Sequence, residues 1–295
     1  MSALQEIEEG IRTVADATGP AVVGVGGRWG IGSGIVIEPG RVLTNAHNLR
    51  GREVHVTFAS GRSEEARPSG VDVDGDLAVV EVDTKDAPAI EWGTNGTHVG
   101  APLFALSNPG GRGLRVTFGF VSGTERSFRG PRGRRITGSL EHTAPLLPGS
   151  SGGPVVDSEG RLLGVNTNRL GEGFYLAIPA DAALRKRVAT LAGGQSAARP
   201  RLGVAVAPPE VARKLRRAVG LPEIDGLLVR EVEPDGPAAA AGIRDGDLIV
   251  GAGDKDVGDV DDLFDALAET PGEIRLRVVR GLDERTVAIA PSPVE

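Results

Sequence analysis

The sequence predicts a mainly β fold in two parts, an all-β domain over residues 20–192 and a mixed α+β domain over 201–295. Three observations predict it. The chain has 295 residues, too many for one ordinary core. Up to about residue 180, short apolar runs recur between turns, and 44 Gly and 20 Pro supply the turn residues. Beyond residue 200, apolar runs alternate with segments of helical spacing.

Taken in order, residues 1–19 form an N-terminal segment in which Leu4, Ile7, Ile11 and Val14 share one helical face. Strands are then expected at 21–25, 33–37, 42–44, 53–58, 77–82, 116–121, 153–156, 162–166 and 174–178. This succession suits an antiparallel barrel or sandwich. Residues 125–135 hold Arg126, Arg129, Arg132, Arg134 and Arg135 among Gly and Pro, and read as a solvated mobile loop, with a regulatory or substrate-contacting loop as the alternative. A helix over 180–191, capped by Asp181, puts Leu184, Val188 and Leu191 on one face. Residues 193–200 read as a linker. The second part is expected to hold strands near 202–206, 226–232, 247–251, 274–280 and 284–290, with helices at 209–218, 237–241 and 259–269.

Composition narrows the function. A net charge of −7 argues against general nucleic-acid binding, because a phosphate backbone attracts a basic surface. The chain has no Cys, which excludes disulfides and thiolate catalysis, and with four His it is expected to hold no metal and no cofactor. No run approaches a membrane span. The acidic N-terminus lacks the apolar core of a signal peptide. A chain starting at its native Met1 is therefore expected in the cytoplasm, whereas a secreted or periplasmic protein trimmed at this point presents the same residues.

Acyl transfer by serine needs a hydroxyl nucleophile, an imidazole base, a carboxylate that orients the base, and N–H donors aimed at the developing oxyanion. The segment Pro148-Gly149-Ser150-Ser151-Gly152-Gly153-Pro154 offers the first and last of these. Its glycines allow unusual backbone angles and close approach. The competing reading is a plain Gly-Ser turn before a strand. His47 follows the run 42–44, where a lone His is more often a satisfied surface residue. Asp76 opens the apolar run 77–80, and Asp72 and Asp74 precede it at alternating positions.

Together these motifs resemble the HtrA (Deg) family of trypsin-like serine proteases. The resemblance rests on Gly32-Ser33-Gly34 through His47, on 76–82, on 148–154, and on Gly164-Val165-Asn166-Thr167. It implies a chymotrypsin-like double β-barrel followed by a PDZ domain. It makes His47 the base, Asp76 the orienting acid and Ser151 the nucleophile, with the oxyanion hole from the N–H groups of Gly149, Ser150 and Ser151. It also implies a homotrimer built through N-terminal contacts, for which Trp29 is a candidate. Ser150 stands where the family usually has Asn, and the loops after Ile31 and Thr167 are short. Loop-based activation is therefore expected to differ. Pro145, Asn166, Tyr175 and Leu176 are expected to line a primary pocket without charge, which favours a small or medium aliphatic side chain.

Residues 201–291 resemble a PDZ domain of the same family. Leu202, Gly203 and Val204 would form its carboxylate-binding loop and first peptide-accepting strand, with Leu263 and Leu267 on the opposing helix. The expected function is ATP-independent endoproteolysis of unfolded or damaged proteins, with peptide C-termini recognised by the PDZ domain. The rival is a catalytically silent PDZ adaptor or holdase chaperone. An esterase of the α/β-hydrolase type fails, because the Gly-x-Ser-x-Gly elbow is missing and strands do not alternate with helices.

Overall fold

The computed structural model describes residues 3–27, 30–49, 54–93, 97–130, 135–171, 173–196, 200–270 and 272–293. Two compact units divide the chain between Ala197 and Ala198.

Among the described residues, the first unit holds helix α1 (Ala3–Thr18) and twelve strands. Strands β1 (Val22–Gly27), β2 (Gly30–Glu38), β3 (Arg41–Thr44), β4 (Val54–Thr57), β5 (Ser63–Asp72) and β6 (Leu77–Glu81) close into one barrel in the order β1-β2-β3-β6-β5-β4. Strands β7 (Pro102–Ser107), β8 (Arg115–Arg129), β9 (Arg135–His142), β10 (Pro154–Val156), β11 (Leu162–Gly171) and β12 (Phe174–Pro179) close into a second, in the order β10-β11-β12-β9-β8-β7. Helix α2 (Ala182–Ala192) follows.

The strand sequences are apolar at successive positions because both faces are buried. Val23, Val25, Val36, Val42 and Val80 fill the first barrel. Their neighbours Val22, Ile35, Leu43 and Val79 point outward into a second core. The second barrel sends Phe104 and Leu106 to that same core and keeps Leu103 and Ala105 inside itself. Each such side chain stabilises the fold by about 1.5–3 kcal/mol relative to exposure. Helix α2 adds Leu184, Val188 and Leu191 to the shared core, and Asp181 caps it by accepting from the Leu184 N–H at 2.8 Å. Helix α1 behaves differently from its predicted stripe. Val14 is buried and Ile11 packs on the core, while Ile7 is 41% exposed.

Three strands were not legible in the sequence. β5 reads Ser-Glu-Glu-Ala-Arg-Pro, and its register shifts between Pro68 and Gly70. β7 is an apolar run opened by Pro102. β9 starts at the end of the Arg-rich segment, and β8 runs into that segment as far as Arg129. The loop expected at 125–135 is thus strand at Glu125–Arg129 and again at Arg135. Phe128 is buried with Ile136 and Leu176, and this apolar cluster turns the arm into strand. Arg132 and Arg134 lie outside the described residues, as does Trp29.

The second unit pairs β13 (Pro200–Arg201) with a C-terminal β20 (Ser292–Pro293). Its main sheet joins β14 (Val204–Ala207), β15 (Leu227–Val232), β16 (Leu248–Ala252), β18 (Ile274–Arg280) and β19 (Asp283–Ile289), with β17 (Lys255–Asp256) pairing β16. Helices α3 (Pro209–Ala218), α4 (Pro237–Ala240) and α5 (Val260–Glu269) match the predicted positions. Asp259 and Asp262 form a reciprocal capping box at the start of α5. Among the described residues no helix is long and apolar enough to cross a membrane.

Candidate active site

His47 sits in a short helical turn just after β3, and Asp76 ends the turn between β5 and β6. β3 and β6 are neighbours in register, Thr44 opposite Ala78, so the two residues meet at one barrel rim. His47 Nδ1 donates to the Asp76 carboxylate, 2.8 Å from Oδ2 and 2.9 Å from Oδ1. The His47 backbone N–H donates to Oδ1 at 3.1 Å. The hydroxyl of Thr167 donates to Oδ2 at 2.7 Å. Asp76 is 1% exposed and adopts φ of 53°, an uncommon backbone setting that short polar Asp tolerates. The setting is braced: Asn45 Nδ2 donates to the Asp76 carbonyl at 2.8 Å, and Asp72 accepts from Gly75 N–H at 2.8 Å. Asp72 does not join the site as a spare acid. It pairs instead with Arg187 of α2 at 2.6 Å.

This arrangement settles the tautomer. An ionised Asp76 can only accept, so Nδ1 carries the proton and Nε2 keeps its lone pair. In that tautomer Nε2 is the ring nitrogen that can accept a proton. Ser151 lies in the same cleft of about 430 Å³, which His47, Asp76 and Thr167 also line. Its hydroxyl donates to the Thr167 carbonyl at 3.1 Å. Attack on a substrate carbonyl requires this proton to pass to His47 Nε2.

Gly149 has φ of 89°, in the left-handed region, and a Cβ there would come within 2.8 Å of Ile31 and Pro109. Only Gly fits this bend. The Ser150 N–H donates to the Leu147 carbonyl at 3.1 Å, closing a tight turn. Ser150 therefore does not supply the third oxyanion donor expected of it, and its hydroxyl donates to Ser107 Oγ at 3.1 Å. The N–H groups of Gly149 and Ser151 are the candidates left for the pair.

The cleft wall differs in part from the predicted pocket. Asn166 and Tyr175 line it. Leu176 does not: alternation along β12 turns it to the other face, where it packs with Phe128 and Ile136. Pro145 is exposed outside the cleft, and Leu146 and Leu147 line it instead. Phe128, Arg129 and Gly130 also reach the cleft, so the Arg-rich segment borders the site. Behind the wall, His142 is fully buried, stacked on Tyr175, with Nε2 donating to Asn166 Oδ1 at 2.9 Å. Its Nδ1 is buried without a partner. Burial pulls its pKa down to about 4, the Asn166 contact opposing that only in part, so it stays neutral near pH 7. Sequence reasoning placed Thr167 on the pocket wall without foreseeing its bond to Asp76, and gave His142 no role. The first sat inside a quoted motif, and the second had no local signal. Among the described residues no group of three His, Asp or Glu is placed to hold a metal.

In the second unit, Leu202, Gly203, Val204, Leu263 and Leu267 border one groove of about 560 Å³. Gly203 has φ of 74°, which curls the loop, and its carbonyl accepts from Glu233 N–H at 2.8 Å. Arg201 pairs with Glu233 across the groove end at 3.1 Å.

Comparison with known proteins agrees with this geometry. Residues 32–165 match the trypsin-like peptidase domain family and residues 228–280 the PDZ domain family. A putative serine protease HhoB of Synechocystis is 32% identical over 280 residues, covering 90% of this chain and 67% of that protein. A probable periplasmic serine endoprotease, DegP-like, of Halomonas elongata is 32% identical, covering 89% of this chain and 56% of its own length. The chain thus spans roughly half to two thirds of such relatives. Among solved structures, the HtrA-type protease AlgW with a decapeptide superposes with a TM-score of 0.76 at 28% identity, covering 97% of this chain and 99% of that one. A serine endoprotease from Yersinia pestis gives 0.73 at 29%, covering 97% and 98%.

Proposed function

The chain belongs to the HtrA family of trypsin-like serine proteases with a C-terminal PDZ domain, and from that premise we propose that it is an ATP-independent endopeptidase acting on unfolded or damaged proteins. The observation that carries this reading is the Thr167–Asp76–His47 chain of hydrogen bonds ending in the cleft that holds Ser151 and Gly149.

The chemistry follows from the geometry. Ser151 Oγ attacks the scissile carbonyl as His47 Nε2 takes its proton. Asp76 stabilises the resulting imidazolium without itself being protonated. Negative charge moves to the carbonyl oxygen, where the Gly149 and Ser151 N–H groups receive it. His47 then protonates the leaving amine. Water, deprotonated by the same nitrogen, releases the acyl group. No step draws on a nucleotide. An unfolded chain supplies extended backbone to the open cleft, and Thr167 O, once released by the Ser151 hydroxyl, is an acceptor for its N–H.

The uncharged wall made by Leu146, Leu147, Asn166 and Tyr175 supports a small or medium aliphatic residue before the scissile bond. Cleavage-site profiling that returned Lys or Arg there would sink this assignment. The groove around Gly203 supports binding of a peptide C-terminus, with Leu263 and Leu267 receiving its apolar side chain. Family membership supports a homotrimer, and light scattering that found a monomer at all concentrations would remove it. Wild-type protein is expected to digest casein and to be labelled by a fluorophosphonate, and Ser151→Ala to do neither. A second reading, a catalytically silent adaptor, starts from the Ser151 hydroxyl's bond to the Thr167 carbonyl. Absence of labelling in wild type at every substrate and peptide concentration would select it.

A further inference from the structure

The two N–H groups of the oxyanion hole lie on peptide planes either side of the Gly149–Ser150 plane. A peptide plane is rigid, so the orientation of that middle plane sets how the flanking N–H groups point relative to each other. Glycine has no Cβ to restrain its ψ, so hydrogen bonds at the two ends of the plane must hold it. The Ser150 N–H is held by the Leu147 carbonyl, and one side chain holds the Gly149 carbonyl. Ser33 Oγ donates to the Gly149 carbonyl at 2.8 Å. The same hydroxyl accepts from the Asn108 N–H at 3.0 Å, so both its donor and its acceptor capacity are in use. The Ser33 backbone N–H donates to the Ser151 carbonyl at 2.9 Å, and its carbonyl accepts from Thr44 Oγ1 at 2.7 Å. Ser33 is fully buried. Asn48 Nδ2 gives the Ser151 carbonyl a second donor at 2.9 Å.

We propose that Ser33 is the positioning residue of the oxyanion hole, its hydroxyl clamping the Gly149 carbonyl so that the hole stands formed before substrate arrives. The inference rests on the protease reading above and deepens it. Ser33 lies on β2 of the first barrel and the nucleophile turn belongs to the second, so the clamp ties the hole to the interface of the two barrels. It also bears on the short loops around Ser151. With Ser33 holding the turn from below, those loops are not required to do so from above. The hydroxyl touches no reacting atom, and its effect passes wholly through Gly149.

The test is a kinetic comparison of wild type with Ser33→Ala and with Ser33→Cys, which is nearly isosteric but a weak donor. Each is assayed on a chromogenic peptide, and for inhibition by a peptidyl aldehyde whose tetrahedral adduct places an oxyanion in the hole. Ser33→Ala is expected to lose about 10²-fold in kcat with KM within about threefold of wild type. Aldehyde affinity should fall in parallel with kcat/KM, and Ser33→Cys should fall between. A simple loss of stability lowers the active fraction but leaves the aldehyde affinity of the surviving sites unchanged, so that result overturns the proposal. So does turnover by Ser33→Ala close to wild type, or a rise in KM at constant kcat. If Ser33→Ala does not fold, Ser33→Cys carries the same comparison. A wild type that is never labelled at Ser151 sinks the protease reading and this inference with it, whereas an active wild type matched by both variants overturns this inference alone.

Discussion

Three donors converge on the carboxylate of Asp76: the ring and backbone of His47 and the hydroxyl of Thr167. They hold the base in one tautomer and one orientation, which is why the carboxylate is irreplaceable by its amide. Asp76→Asn would present an N–H to His47 and favour the wrong tautomer, and kcat is expected to drop roughly 10⁴-fold with little change in melting temperature. Single-turnover assays on a peptide ester check this, and a loss below tenfold contradicts it. His142 makes a different kind of prediction. Its pKa is about 4 folded against an ordinary value of 6.5. Between those values the unfolded chain binds a proton that the folded one does not, so stability rises with pH across that window. Its contribution is full above pH 6.5, declines on acidification, and changes no further below about 4. The span corresponds to about 3 kcal/mol. Urea unfolding of Ser151→Ala with and without His142→Gln, at pH 7.5 and 4.5, should show a flatter pH dependence in the doubly substituted chain. Equal slopes would show that His142 is not buried neutral.

Among the elements, the nucleophile turn between β9 and β10 is the most constrained. Gly152 has φ of 87°, and a Cβ there would lie 2.1 Å from the Ser33 carbonyl. Gly152→Ala must push the turn off Ser33 and is expected to cost about 100-fold in kcat/KM, since displacements near 1 Å carry that penalty. Steady-state kinetics on the purified, folded variant decide it. Helix α2 illustrates an element readable from local rules. Asp181 caps it and three apolar residues at helical spacing bury it. Asp181→Ala should lose about 1 kcal/mol in chemical denaturation while leaving kcat unchanged. The β8–β9 arm illustrates the opposite. Its five arginines and its glycines read as loop, yet Phe128, Ile136 and Leu176 gather across the strands and make it β. Those three are far apart in sequence, so no window contains the signal.

At the scale of the molecule, two units with separate cores divide the work. The first unit's barrels each contribute part of the site: His47, Asp76 and Ser33 from one, Ser151, Gly149 and Thr167 from the other. The second offers a groove with a curled Gly203 loop. If that loop receives a carboxylate, full-length Ser151→Ala should bind a free C-terminal peptide at least about 10-fold more tightly than its amidated form, the worth of a charge-assisted hydrogen bond. Fluorescence anisotropy with the paired peptides reads this directly, and equal affinities would move the binding determinant to the apolar wall.

The sequence by itself determined the helices, nine strands of the first unit, the separation into two units, and the residue types that surround Ser151, because turn chemistry, capping and strand patterning act over a few neighbours. The three residues proposed as the triad were named through the family resemblance, which local motifs around each of them carry. Tertiary structure alone decided which side chains face the cleft. It alone brought Ser33 to Gly149 across 116 residues. The reason is physical: a hydrogen bond between two barrels leaves no periodicity in either strand, and it exists only once both have closed.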